Sequence, residues 1–236
     1  MSETPVTDPR RLLRTAEVAD AGLEDWRLLA GRLKARFTPA DYATGLELAA
    51  RIGAAAQDAD HHPELTLTYT DVVLTLASHD VGGVTSRDLR MARRISGIAR
   101  ELGVRADVAG LTQLELALDT ARGAAQARIY AALFGADVTG DGDLADPSGQ
   151  TPSMWWQGPE GEASTGEHAL PAPEVEQRWH LDVWVAPEEA EARLQAALDA
   201  GATLLSDASA PSFWVIEDAD GNRACVCTAL RPDHEH

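Results

Sequence analysis

Three of the chain's seven histidines lie close together between positions 61 and 79. His61 and His62 are adjacent and are followed by Pro63, and His79 comes seventeen residues after His62. Imidazole is the side chain whose ordinary pKa makes both its acidic and its basic form available near neutral pH. Two such groups can act on one substrate as general acid and general base. Pro63 restricts the backbone directly after the pair, so the pattern predicts acid–base catalysis by held imidazoles.

The histidines also allow plainer interpretations. Taken one at a time, each is more naturally an ordinary surface histidine, and only the ordered spacing favours a site. A zinc site is disfavoured because adjacent histidines rarely both reach one metal and no thiol lies near them in the sequence. The two cysteines, Cys225 and Cys227, form a lone C-x-C, which we interpret as two free thiols in a reducing compartment.

The elements around the histidines predict an α+β domain over residues 10–105. Its sheet is antiparallel and covered on one face, in the order α-β-β-α-β-β-α. A short helix at 15–21 precedes a hairpin made by WRLLAG and RLKARFT, and Thr38 is predicted to cap the long helix that follows. Alternation predicts strands at 65–69 and 72–76. Thr85 or Ser86 then caps the last helix, and VRADVAG is interpreted as a linker.

The stretch DHHPELTLTYTDVVLTLASHDVGGVTSRDLRMA resembles the signature of the pterin-4a-carbinolamine dehydratases, and the resemblance covers roughly residues 15–102. It implies a hydro-lyase that removes water from a 4a-hydroxytetrahydropterin and gives the quinonoid dihydropterin. It also implies a homodimer or homotetramer, with pterin as the substrate and no further cofactor. Gln57 and Leu65 stand where the family often has Glu and Trp, which leaves room for a different heterocycle as substrate.

The resemblance assigns roles to individual residues. His61 and His79 become the acid–base pair, without a choice of which is the acid, and His62 orients the pterin. The substrate-binding residues that it implies are Pro63, Asp80, Arg87 and Asp88. Asp88 either orients one of the histidines or holds the pterin; an acidic side chain in the first turn of a helix is favourable in any case.

The second half of the chain differs in charge and pattern. The net charge is −18, yet residues 1–107 hold 14 Lys and Arg against 16 Asp and Glu, so most of the excess lies in 108–236. Such asymmetry indicates a separate unit, which we place at 110–231. A β-α-β-β-β pattern occurs there twice, interrupted by a connection at 159–173 and ending with a hairpin turn at 218–222. The acidity disfavours nucleic acid as a partner.

The two β-α-β-β-β patterns, with RWHLDVWV and DADGNRACV, resemble the glyoxalase-like branch of the vicinal oxygen chelate fold over roughly 111–230. Metal-dependent members carry four ligands, which here match Gln113, a residue within 156–157, His180 and Cys225. That set is poor for a hard divalent ion, so no metal is expected. The predicted ligand pocket consists of Gln113, Trp156, His180 and Asp182. The tryptophans of this half either line an aromatic cleft or pack the core.

Three functional hypotheses follow. The first is a dehydratase with a fused, metal-free ligand-binding domain. The second is a first unit that serves as a dimerisation module or acts on another heterocycle, while the second unit binds or catalyses. The third is metal-dependent catalysis in the second unit. The sequence has no apolar run long enough to cross a membrane and no secretory signal pattern, so we expect a cytoplasmic protein without a membrane partner.

Overall fold

The computed structural model describes residues 8–134, 136–146, 149, 151–157, 179–217, 221 and 223–230. By their contacts, the residues form two compact units, Met1–Leu111 and Thr112–His236. The connection predicted at 159–173 and, apart from Gly221, the turn predicted at 218–222 lie outside the described residues. Among the helices in the described ranges, none is both long and apolar enough to span a bilayer.

The first unit is an antiparallel sheet with helices. Its elements in chain order are α1 (Thr15–Ala19), β1 (Arg27–Leu29), β2 (Arg32–Thr38), α2 (Tyr42–Ala59), β3 (Glu64–Leu67), β4 (Val72–Leu76), α3 (Ser86–Glu101) and β5 (Arg105–Ala106). The strands run in the order β1-β2-β4-β3, and β5 pairs with β2. All of these pairs are antiparallel. The predicted α+β class and the antiparallel sheet are therefore confirmed.

Strand β2 shows why this sheet is covered on one face. Leu33, Ala35 and Phe37 are buried while the residues between them are partly exposed, which is the period-two alternation of a half-buried strand. Trp26 packs edge-on against Phe37 with ring centroids 6.5 Å apart. Its indole N–H donates to Ser96 Oγ on α3 at 3.1 Å, so the buried polar atom is partnered. The core thus fixes α3 against the sheet.

Two local predictions for this unit are wrong. Asp41, not Thr38, caps α2: its carboxylate accepts from the Thr44 backbone N–H at 2.7 Å. Thr38 is instead the last residue of β2, where it pairs with Arg105. That pairing forms β5 inside the segment interpreted as a linker. A two-residue strand has no periodicity of its own, so only its tertiary partner reveals it.

The second unit contains the β-α-β-β-β arrangement twice, as predicted. The first copy comprises β6 (Thr112–Asp119), α4 (Gly123–Phe134), β7 (Asp137–Val138), β8 (Leu144–Ala145) and β9 (Ser153–Gln157). The second comprises β10 (Trp179–Val185), α5 (Ala190–Asp199), β11 (Thr203–Ser206), β12 (Phe213–Glu217) and β13 (Arg223–Cys227). The sheet order is β11-β12-β13-β10-β6-β9-β8-β7. The short strands β7 and β8 form a hairpin, and the residues that join them are rich in Asp and Gly.

The two copies meet at the centre of this sheet. Strands β6 and β10, the first strands of the two copies, pair with each other in an antiparallel manner. Each also pairs in parallel with the last strand of its own copy, β9 or β13. The register sets Asp182 opposite both Glu115 and Cys225, so these side chains share one face of the sheet. The central strands of both copies therefore contribute to the same surface.

Candidate functional site

The end of helix α2 determines where His61 lies. Asp60 follows the helix with φ +46°, a left-handed conformation that reverses the chain. The His61 backbone N–H then donates to the Ala56 carbonyl at 3.1 Å and completes the cap. His61 is thereby fixed by its backbone as well as by its ring. Its side chain is 12% exposed, so it is largely buried yet still reachable from solvent.

Asp88 is the centre of a buried hydrogen-bond network in the first unit. It lies in the first turn of α3 and is 0% exposed. Its Oδ1 lies 2.8 Å from His61 Nε2. Its Oδ2 accepts from Ser78 Oγ at 2.7 Å and from the Thr85 backbone N–H at 2.8 Å. A carboxylate accepts hydrogen bonds, so this contact favours the His61 tautomer that carries its proton on Nε2, in which Nδ1 is an acceptor.

Ser78 connects the same network to the loop that carries His79. Its hydroxyl donates to Asp88, while its backbone N–H donates to the Gly83 carbonyl at 2.8 Å and closes the loop. Gly82 adopts φ +69° in this turn, a conformation that glycine reaches without strain. His79 follows Ser78 directly and is exposed. His61 and His79 are thus both attached to one buried carboxylate, His61 through its ring and His79 through the adjacent residue.

Asp80 and Arg87 pair with each other. The Arg87 guanidinium donates to the two Asp80 oxygens at 2.6 and 3.3 Å, and Arg10 approaches the same carboxylate at 3.3 Å. The hydrogen bond from Arg87 lowers the pKa of Asp80. Both had been predicted as substrate-binding residues. In the structure they join the His79 loop to the start of α3.

The remaining predicted residues of the first unit lie beside this network. His62 is exposed and Pro63 is half-buried, directly before β3 begins at Glu64. Ser78 and Thr85 are buried partners of Asp88, and we had assigned neither to the site. The spacing of Thr85 and Asp88 is that of a capping box, and this was the available signal for Thr85. Nothing in the sequence marks Ser78, because its contact with α3 is tertiary.

In the second unit, the predicted pocket residues Gln113, His180 and Asp182 share one sheet face. His180 is 2% exposed and Asp182 is 8% exposed. Two further carboxylates that we had not predicted, Glu115 and Asp119, lie on the same face because they alternate with apolar residues along β6. We call this side of the sheet, which carries Glu115, Asp119, His180 and Asp182, the polar face.

Trp156 does not join the polar face. Adjacent residues of a strand point to opposite sides of a sheet, and Trp156 stacks on Tyr130 of helix α4 with ring centroids 6.0 Å apart. Its neighbour Trp155 lies on the polar face, where its indole N–H donates to Asp182 at 3.1 Å and its ring meets His180 edge-on. Trp156, which was predicted to lie with Gln113, His180 and Asp182, is therefore on the opposite side of the sheet, and Trp155 takes its place beside them.

Burial shifts the pKa values on the polar face. It raises the pKa of Asp182 to about 6, with a further contribution from the nearby Glu115 carboxylate. Burial also lowers the pKa of His180, against the attraction of Asp119. Burial therefore favours the neutral form of the His180 imidazole, whose ordinary pKa already lies slightly below neutral pH.

The residues matched to metal ligands do not form a metal site in the described part of the chain. No group of three or more His, Cys, Asp or Glu side chains there is placed to hold one ion. The Gln113 amide donates to the Leu114 carbonyl at 3.0 Å. Cys225 is buried, and its hydrogen bond with Cys227, together with burial, raises the pKa of the Cys227 thiol. The chemistry of this donor set does not fit a catalytic divalent ion.

Known proteins resemble the two units separately. A family model described as Pterin 4 alpha carbinolamine dehydratase matches residues 11–98, and one described as Glyoxalase-like domain matches residues 115–227. A Nitrobacter hamburgensis protein named "Putative pterin-4-alpha-carbinolamine dehydratase" is 40% identical over 90 residues, which cover 37% of this chain and 89% of that protein. A Metallosphaera sedula protein of the same name is 33% identical over 92 residues, which cover 39% of this chain and 96% of that protein.

A solved structure also matches the first unit. It is described as a transcriptional coactivator/pterin dehydratase from Brucella melitensis, and it is 32% identical with a TM-score of 0.37. The match covers 38% of this chain and 99% of that chain. By its sequence relatives, the chain belongs to the pterin-4a-carbinolamine dehydratase family through its first unit, and its second unit is a glyoxalase-like domain.

Proposed function

We propose that the first unit is a hydro-lyase that dehydrates a 4a-hydroxytetrahydropterin. The observation that carries this proposal is the hydrogen bond between His61 and the fully buried Asp88, in a network that also anchors the loop of His79. A buried carboxylate that holds an imidazole in one tautomer is a recurrent arrangement for proton transfer. The named relatives support pterin as the substrate class.

The reaction requires two proton transfers. The bond between carbon 4a and the hydroxyl oxygen breaks, and the oxygen takes up one proton and leaves as water. The adjacent ring nitrogen loses its proton, and its electron pair forms the carbon–nitrogen double bond of the quinonoid dihydropterin. One group must therefore donate a proton while another accepts one, and two imidazoles can do both near neutral pH.

We assign the base to His61 and the acid to His79. Proton uptake by His61 Nδ1 produces an imidazolium whose Nε2–H donates to Asp88, and this buried carboxylate stabilises the positive charge. His79 is exposed on its loop, so it can exchange protons with solvent and return to the imidazolium form after each turnover. His62, exposed beside His61, is available to orient the pterin.

The test is dehydration of enzymatically generated 4a-hydroxytetrahydropterin, followed by ultraviolet absorbance. The wild-type chain should exceed the rate in buffer, and His61→Ala and His79→Ala should each remove most of that acceleration, since one general acid or base contributes about 10²–10⁴-fold. Asp58→Asn is the matched control, because Asp58 is an exposed carboxyl near the end of α2 that pairs with Arg94. If the folded wild-type chain gives no acceleration, the proposal is wrong for this substrate.

We further infer that the second unit binds a small molecule on its polar face. The support is the burial of charged side chains on a sheet face that still has partly exposed tryptophan and carboxylate groups at Trp155, Trp184 and Glu115. Charged side chains are rarely placed in such positions for stability alone. This role is separate from dehydration and is tested separately.

A further inference from the structure

The polar face contains a buried imidazole nitrogen without a hydrogen-bond partner. His180 Nδ1 is fully buried and makes no hydrogen bond to any described residue. The nearest carboxylate oxygens, on Asp119 and Asp182, lie 3.9 Å from Nδ1 and 3.7 Å from Nε2 respectively, both beyond hydrogen-bond distance. Leaving a buried polar group unpaired costs about 1–3 kcal/mol. Such a group indicates a position that a ligand completes.

The carboxylates around His180 are held in place by neutral donors. Glu115 accepts from Ser153 Oγ at 2.8 Å and from Trp184 Nε1 at 2.9 Å. Asp119 accepts from the Gln157 amide at 2.6 Å. Hydroxyl, indole and amide donors orient these oxygens without neutralising their charge. The face is therefore prepared to receive further donors at defined oxygen positions.

The charge of this face is strongly negative. Glu115, Asp119 and Asp182 lie on it, and so does Glu217 of β12, one of whose carboxylate oxygens is buried and has no hydrogen-bond partner among the described residues. Arg223 offsets part of this charge, with its guanidinium 3.6 Å from Asp119. An anionic ligand would be repelled by the uncompensated carboxylates, whereas a cation would relieve their mutual repulsion.

Two indole rings favour an organic cation. Trp155 and Trp184 are both partly exposed on this face, and each ring is tethered through its N–H to a carboxylate, Asp182 or Glu115. An aromatic ring attracts a cation over its face, and the attraction is largest for indole. A planar cation that carries several N–H groups also matches carboxylate oxygens in pairs, as a guanidinium does.

We propose that the polar face of the second unit binds a planar organic cation of the amidinium, guanidinium or protonated amino-heterocycle class, whose N–H groups donate to Glu115 and Asp182. The proposal rests on the inferred ligand-binding role of this unit. It does not depend on dehydration by the first unit.

The experiment uses three probes of one shape on the full chain: benzamidine (cationic), benzamide (neutral) and benzoate (anionic). Binding is measured by ligand-observed NMR and by calorimetry. Benzamidine should bind, and at least tenfold more tightly than benzamide or benzoate. Glu115→Gln and Asp182→Asn should each weaken benzamidine binding about tenfold. Each substitution replaces a charged acceptor with a neutral side chain of similar size.

The control addresses attraction by the net charge of the whole chain, which is −18. Glu191→Gln removes an exposed carboxyl from α5 of the same unit and should leave benzamidine binding unchanged. Thermal melting verifies that each variant is folded. Equal binding of all three probes would overturn the cation preference but keep the ligand-binding role. Unchanged benzamidine affinity in both site variants, or no binding of any probe, would overturn the proposed site.

Discussion

Asp88→Asn is the sharpest perturbation of the first unit, because asparagine keeps the shape of aspartate but not its two acceptors. In the wild-type chain, Oδ2 accepts from the Ser78 hydroxyl and the Thr85 backbone N–H, so the asparagine oxygen must occupy this position. The amide NH₂ then faces His61 Nε2. His61 must become an acceptor at Nε2 and carry its proton on Nδ1, which is the tautomer that cannot take a proton from the substrate.

The size of the effect follows from the bond that is lost. A hydrogen bond to a charged group contributes about 1.5–3 kcal/mol. The Asp88 carboxylate acts chiefly on the imidazolium that forms during the reaction, so its loss should appear in kcat. Each 1.36 kcal/mol corresponds to a factor of ten in rate, and the expected loss is about 10²-fold. The asparagine oxygen retains the cap of α3, so thermal stability should fall by only about 1–3 kcal/mol.

The assay is stopped-flow dehydration of the 4a-hydroxytetrahydropterin, with Asp58→Asn as the matched control and circular dichroism to verify folding. The decisive pattern is a loss in kcat with little change in KM. A folded Asp88→Asn chain with a rate within twofold of wild type would refute the role of Asp88 in orienting His61. A rise in KM alone would instead indicate that Asp88 holds the pterin.

Three further predictions concern other parts of the chain. Ser78→Ala removes one donor to Asp88 but leaves the His61 tautomer intact, so the dehydration rate should fall less than tenfold. Asp182→Asn should raise the melting temperature by about 5 °C at pH 8 and should leave it unchanged near pH 4. The folded-state pKa of Asp182, about 6, exceeds its ordinary value, so folding favours the neutral carboxyl, and this stabilisation is lost as pH rises through 6. We also propose that the edge of the first sheet joins copies of the chain, because β3 is the last strand in its sheet order and Leu65 is 37% exposed there. Leu65→Asp should then lower the mass measured by light scattering, and an unchanged mass would contradict this.

The sequence predicted the fold well wherever an element contains its own periodicity. Strand β4 lies where alternation placed it, and β2 and α3 lie where a hairpin strand and a capped helix were predicted. The errors occurred where tertiary contacts decide. Strand β5 exists because Ala106 pairs with Phe37, and a two-residue segment carries no pattern. Asp41 rather than Thr38 caps α2 because Thr38 is already paired within the sheet. Capping propensity alone does not account for this competing strand pairing.

The candidate site was predictable as a set of residue types but not as a network. The spacing of the histidines suggested acid–base chemistry, and their catalytic roles stay predictions. The sequence left Asp88 two roles, and its hydrogen bond to His61 now favours orientation of that ring. The contribution of Ser78 was not predictable, because it depends on the end of β4 and the start of α3 coming together in space.

In the second unit, predicting a strand correctly did not predict which of its side chains lie on the polar face. The β-α-β-β-β pattern to which β9 belongs was predicted, yet the choice between Trp155 and Trp156 depends on the register of β9 against β6, which pairs Ala117 with Trp155. A shift of one residue exchanges the two faces of a strand. The same register gathers Glu115 and Asp119 around His180 and leaves Nδ1 unpaired. A sheet face that gathers several carboxylates around a buried imidazole with an unpaired nitrogen is costly in the free protein, and a bound organic cation would offset much of that cost.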